Sequence, residues 1–142
     1  MIHDRFIKTN EEFYLFHICA PCENGAKQLL WDSLTSRLPL LGGKKVCVCG
    51  DFNVVRCDEE KRIVRQGFRS FDHSHFNQII DDNGLVDVPL CGLKLTLYKG
   101  DGLSMSQIDS FLLYEEWCLA WPNCLHIAQL RRLSDHCPLL LC

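Results

Sequence analysis

The sequence predicts a mixed α/β (α+β) chain, with a strand–helix–strand unit first and mostly antiparallel sheet after it. Two apolar runs, residues 13–20 (Phe-Tyr-Leu-Phe-His-Ile-Cys-Ala) and Val46-Cys47-Val48-Cys49, stop at Pro21 and Gly50, as buried strands do. Between them Ala26, Leu29, Leu30, Leu34 and Leu38 recur at the spacing of one helix face. Beyond Gly84, short apolar stretches alternate with turn residues. The 142 residues are 47% hydrophobic and 23% charged, which suits one domain with a core.

In chain order, residues 1–12 form a polar lead-in, 13–20 a strand, and Gly25 to Leu38 an amphipathic helix that Gly42-Gly43 breaks. The 46–49 strand follows at a distance that suits a parallel crossover. Residues 54–72 read as a charged loop. Ser74 is placed to cap a helix whose Phe76, Ile79 and Ile80 face inward, with Asn83-Gly84 as its stop. Strands are expected over 85–88, 93–98, 104–114, 126–130 and 137–141, with Lys99-Gly100-Asp101-Gly102 as a hairpin turn.

A net charge of −3 gives no overall basic field to advertise nucleic acid. Local clusters (Lys61, Arg62, Arg65, Arg69, then Arg131, Arg132) read first as solvated surface and second as phosphate contacts. No secretory leader or membrane-length apolar run stands out, so the ten cysteines are expected to be reduced, intracellular thiols without a membrane partner. Cys19-x-x-Cys22 invites zinc, but a second pair of that spacing is missing, and Cys47-x-Cys49 is expected to point to opposite faces of its strand.

Three polar islands interrupt the apolar runs: Gly50-Asp51-Phe52-Asn53, Ser106-Gln107-Ile108-Asp109 and Leu133-Ser134-Asp135-His136-Cys137-Pro138. Singly, each is an ordinary turn or an exposed strand position. Together they meet the needs of phosphodiester hydrolysis. That reaction needs a hard cation held by oxygen ligands, a group that orients or deprotonates water, and a group that stabilises the phosphate oxygens. Asp51, Asn53 and Asp135 can supply the oxygens and His136 the phosphate contact, with Asp109 holding the other imidazole nitrogen and fixing its tautomer.

These motifs, G-D-F-N at 50–53, S-Q-I-D at 106–109 and S-D-H at 134–136, resemble in order those of the endonuclease/exonuclease/phosphatase family. More narrowly, the chain looks like the apurinic-type endonuclease domain of plant LINE-type (non-LTR) retrotransposons. His17-Ile18-Cys19-Ala20-Pro21-Cys22 resembles that family's N-x-Y-A-P strand end, Leu95-Thr96-Leu97-Tyr98 its Y/F-T-F/W strand, and Ser106–Leu113 its S-R-I-D-R-F-L strand. The resemblance covers residue 13 to the C-terminus. It implies a DNase I-like sandwich of two sheets flanked by helices, here incomplete at the N-terminus.

It also implies catalytic roles for Asp51, Asn53, Asp109 and His136. A Mg2+ or Mn2+ ion would be held by Asp51, Asn53, Asp135 and His136, with no small-molecule cofactor. Cys19, Thr96 and Ser134 would be phosphate, DNA-backbone or supporting contacts. The partner would be target DNA, in the nucleus if the DNA is genomic, and an exposed sheet would favour self-association. The pattern also departs from the family. Its opening strands, which carry an Asn and a metal-binding Glu, have no match here, His17 replaces an Asn, Cys19 a Tyr, Gln107 an Arg, and Leu97 an aromatic residue. Loss of the Glu leads to the expectation of an endonuclease domain that is inactive as given. A non-catalytic interaction remnant and a phosphatase for small phosphoesters are the alternatives.

Overall fold

The computed structural model of the chain describes residues 1–63, 73–100, 104–131 and 134–142. A five-stranded sheet forms its centre, in the order β1 (Ile2–Arg5), β2 (Glu12–Cys19), β3 (Lys45–Asp51), β9 (Asp109–Tyr114), β5 (Leu85–Asp87). β2 and β3 run parallel, joined across helix α1 (Asn24–Arg37), the crossover that the sequence suggests. β4 (Lys61–Ile63), β8 (Ser104–Ser106) and β7 (Leu97–Tyr98) make a second sheet. β11 (Leu139–Leu141), β10 (His126–Ala128) and β6 (Leu90–Cys91) make a third. An isolated bridge from Leu97 to His136 ties β7 to the segment that leads into β11. Among the described residues, no helix is long and apolar enough to cross a membrane.

Strand alternation gives the central sheet two apolar faces. Phe16 and Ile18 of β2, Val46 and Val48 of β3, and Leu112 and Tyr114 of β9 pack under α1 and helix α2 (His73–Asp82). The contacts there include a ring cluster in which Phe52 meets Phe76 at 5.1 Å and Trp31 meets Phe76 at 5.5 Å. The other face carries Cys47, Cys49 and Leu113, covered by Trp117 of helix α3 (Glu115–Ala120).

Several elements differ from the sequence expectation. β1 lies in what reads as polar lead-in, because its four exposed residues owe their strand to pairing with β2. On α1 the buried stripe is Lys27, Trp31 and Leu34, continued by Leu38, while Leu29 is exposed. The bulk of Trp31 turns the helix so that it meets Phe52. Ser74 sits inside the first turn of α2, which begins at His73. The single strand expected over 104–114 is two, because the chain leaves one sheet at Ser106 and joins another at Asp109. Cys47 and Cys49 share a face rather than opposing each other, since positions two apart in a strand always do. The Cys47 thiol donates to the Cys49 sulfur, which pushes Cys47 up and Cys49 down. Of the basic clusters, Arg131 caps the Tyr98 carbonyl and lies over its ring. Arg65, Arg69 and Arg132 lie outside the described residues, as do Asp101, Gly102 and Leu133.

His126 is wholly buried in the third sheet, where its Nδ1–H donates to the Val88 carbonyl at 3.0 Å and its ring meets Phe111 edge-on. Its Nε2 has no partner among the described residues. Burial holds its pKa below the ordinary 6.5, against the Val88 carbonyl and the Asp87 and Asp109 carboxylates, which pull it up. The unfolded chain therefore takes a proton that the folded chain refuses. Stability is complete above about pH 6.5 and falls as pH drops through it, by at most about 1.4 kcal/mol per pH unit. Urea unfolding at neutral and mildly acidic pH should show this loss, and His126→Leu should shrink it.

Candidate active site

Three separated segments meet at the C-terminal end of β3. β2 and β3 run parallel to that end, and the chain turns at Gly50-Asp51-Phe52-Asn53. Phe52 goes into the core under α1 and is 1% exposed, so its neighbours stay at the sheet edge. Asn53 adopts the left-handed region (φ 53°), which Asn tolerates better than most residues, and its N–H donates to Asp51 Oδ1 at 2.8 Å. Its side-chain amide donates to the Ala20 carbonyl and the Cys22 sulfur, both at 3.1 Å. Asn53 thus fixes Asp51 through its backbone, while its side chain staples the ends of β2 and β3.

Asp109 stands directly opposite Asp51 in the β3–β9 register. Two carboxylates facing across strands repel, so the pair has a cost unless a cation or proton shares it. Asp109 is held from behind by Thr96, whose hydroxyl donates to Asp109 Oδ2 at 2.7 Å and accepts from the N–H groups of Ile108 (3.2 Å) and Asp109 (3.3 Å). In front, the ring of His136 places Nδ1 3.1 Å from Asp109 Oδ2, and its Nε2 lies 4.0 Å from Asp51 Oδ2. A carboxylate only accepts, so Nδ1 carries a proton and Nε2 faces Asp51. The ligand atoms of Asp51, Asp109 and His136 all lie within 4.8 Å of one another, and no other such group exists among the described residues.

Burial pushes the Asp51 carboxyl above its ordinary range. The Asn53 N–H opposes this, Asp109 adds to it, and His136 and Lys27 oppose it. Lys27, 4% exposed on α1, donates to the Asn53 carbonyl at 3.1 Å. It is the residue that sequence reasoning missed. The signal was a lysine four, seven and eleven positions before Trp31, Leu34 and Leu38, on the helix's buried stripe.

The other expected residues divide. Thr96 is 0% exposed, so it supports Asp109 and cannot touch DNA. Asp135 is exposed and stands outside the three-ligand group, its backbone carbonyl accepting from Tyr98 N–H. Adjacent residues leave a strand edge in different directions, which is why Asp135 and His136 do not converge. Ser134 is exposed, and its hydroxyl accepts from the His136 N–H at 3.1 Å. Cys19 is exposed beside Asp51 in the β2–β3 register. Replacing Thr96 by Val removes the acceptor of two buried N–H groups and one of the two donors that meet Asp109 Oδ2, with an expected cost of about 2–3 kcal/mol. Thr96→Ser should cost less than half of that in the same urea titration.

No family model matches the chain, and neither does any curated protein. Solved structures do. Beta toxin from Staphylococcus aureus aligns with a TM-score of 0.58 at 12% identity, covering 96% of this chain and 54% of that one. Cytolethal distending toxin from Actinobacillus actinomycetemcomitans aligns with a TM-score of 0.50 at 16% identity, covering 92% and 48%. The chain spans about half the length of each. Such identities speak for fold. Both proteins share the DNase I-like architecture, and with its several sheets and few helices this chain has a DNase I-like fold.

Proposed function

We propose that the chain carries the metal-dependent phosphodiesterase site of a DNA endonuclease of the LINE-retrotransposon type, in which a nick primes reverse transcription. The convergence of Asp51, Asp109 and His136 from three distant segments carries this reading. Two facing carboxylates offer the oxygen ligands that a hard divalent cation, Mg2+ or Mn2+, takes, with the His136 imidazole beside them. Such a cation supplies charge neutralisation at a phosphate oxygen and a more acidic water. Asp51, with one oxygen already engaged by the Asn53 N–H, would position an attacking water or take its proton. His136, 34% exposed in its side chain, reaches a phosphate oxygen through Nε2. Asp109 holds the imidazole's other nitrogen, and Thr96 holds Asp109. The nucleus is the site of action if the target is genomic DNA. The β1 and β11 edges, unpaired among the described residues, are open to self-association.

Two carboxylates are few charged oxygens for a hard cation, so the chain is inactive by itself. With Mg2+ present, a short DNA duplex should shift the NMR signals of His136 and Asp51. Nicking of supercoiled plasmid should not exceed that of the His136→Ala variant. A duplex that leaves both residues unshifted overturns the DNA reading. Nicking that Asp51→Ala and His136→Ala both abolish overturns the claim of inactivity.

A further inference from the structure

We propose that Arg131 holds a second phosphate of a DNA strand, next to the one that His136 meets, so that the site prefers a polynucleotide to a small phosphoester. The inference rests on the phosphodiesterase site proposed for Asp51, Asp109 and His136. The Arg131 guanidinium is fixed in place. Its Nη1–H donates to the Tyr98 carbonyl at 3.0 Å, and its central carbon lies 5.2 Å from the centre of the Tyr98 ring. The backbone sets Tyr98 beside the site. Tyr98 N–H donates to the Asp135 carbonyl at 2.8 Å, and Leu97, its neighbour in β7, bridges to His136. The Arg131 N–H meets the sulfur of Cys137, the residue after His136. Both anchors, Tyr98 and Cys137, therefore stand one residue from His136 or from its bridge partner.

Charge and spacing select the occupant. Arg131 is exposed and makes no ion pair among the described residues, so no carboxylate answers its charge there. Lys99, next to Tyr98, is exposed and equally unpaired among them. Asp135, on the same rim, instead accepts from the Ser134 hydroxyl at 3.5 Å. Tyr98 uses one donor of the guanidinium fork, and those left over suit phosphate oxygens. A small phosphoester brings one phosphate. A DNA strand brings another about every 3.4 Å of helix axis, close to the ~3.3 Å step from Leu97 to Tyr98 along β7. Because Tyr98 already orders the arginine, gripping that phosphate costs little further freedom.

The test uses the full chain and a fluorescein-labelled DNA duplex, read by anisotropy at constant Mg2+ between about 50 and 200 mM KCl. Arg131→Gln should bind the duplex about fivefold more weakly, the size of one exposed ion pair, and lower the slope of log Kd against log salt by about one. Arg131→Lys keeps the charge and should recover most of that slope. Dimethyl phosphate, with its single phosphate, should shift the His136 NMR signals equally in the parent and in Arg131→Gln. If the duplex shifts His136 in the parent but Arg131→Gln matches the parent in affinity and slope, the Arg131 assignment falls and the phosphodiesterase reading stands. An equal loss of duplex and dimethyl phosphate binding in Arg131→Gln also overturns the assignment, since Arg131 would then support the site rather than grip a second phosphate. A duplex that leaves His136 unshifted in the parent overturns the DNA reading and this inference with it.

Discussion

Replacing Gly50 with alanine should cost about 3–5 kcal/mol of stability, the largest effect expected of any single methyl group in the chain. A Cβ at Gly50 would lie 2.1 Å from the carbonyl oxygen of Ile18, a backbone atom that no side-chain rotation can move. Gly50 also holds φ at +126°, where L side chains are strained. Strain of that kind costs about 1–3 kcal/mol. Forced overpacking adds about 1–3 kcal/mol or more. Ile18 and Gly50 are register partners in the parallel β2–β3 pair, so relief means parting the strands at the end that delivers Asp51. Urea titration measures the loss. Gly43→Ala is the control, with φ +76° but open space around its Cβ, and it should cost only about 1 kcal/mol.

Asp51→Asn should raise stability and remove cation affinity at once. Burial pushes the Asp51 carboxyl up, so the folded chain holds its proton more tightly than the unfolded chain does. At neutral pH the ionised group therefore destabilises the fold, and this penalty disappears as pH falls towards the ordinary carboxylate value of 3.8. An amide keeps an oxygen to accept from the Asn53 N–H and removes the repulsion with Asp109. The expected gain is about 1 kcal/mol at neutral pH, shrinking on acidification, the usual direction when an active-site charge is removed. Thermal unfolding across pH checks it. Mn2+ affinity should fall at least about tenfold in the same variant, equal to about 1.4 kcal/mol. A variant that is less stable than the parent at neutral pH would contradict the burial argument.

The site was more legible than the fold's details. Asp51, Asp109 and His136 lie in short motifs that end or begin strands, so apolar runs gave their neighbourhood away. Lys27 escaped because a helix's buried stripe depends on rotation, and Trp31 rather than Leu29 set it. Thr96 read as either a DNA contact or a supporting one, because an exposed hydroxyl and one buried behind a carboxylate look alike in one dimension. The break between β8 and β9 was hidden because alternation marks a strand without naming its sheet. α3 has six residues, too few for a helical period to emerge, and it packs through Trp117 between two stretches that read as strands.

The central claim is that Asp51 and Asp109, with His136 beside them, form one cation site. Paramagnetic broadening by substoichiometric Mn2+ in amide NMR spectra tests it most directly, with Mg2+ as competitor. The account predicts early loss of signals at residues 50–53, 108–110 and 136, their recovery on adding Mg2+, and no such loss in Asp51→Asn. Broadening centred elsewhere, or unchanged at these residues in Asp51→Asn, would contradict it.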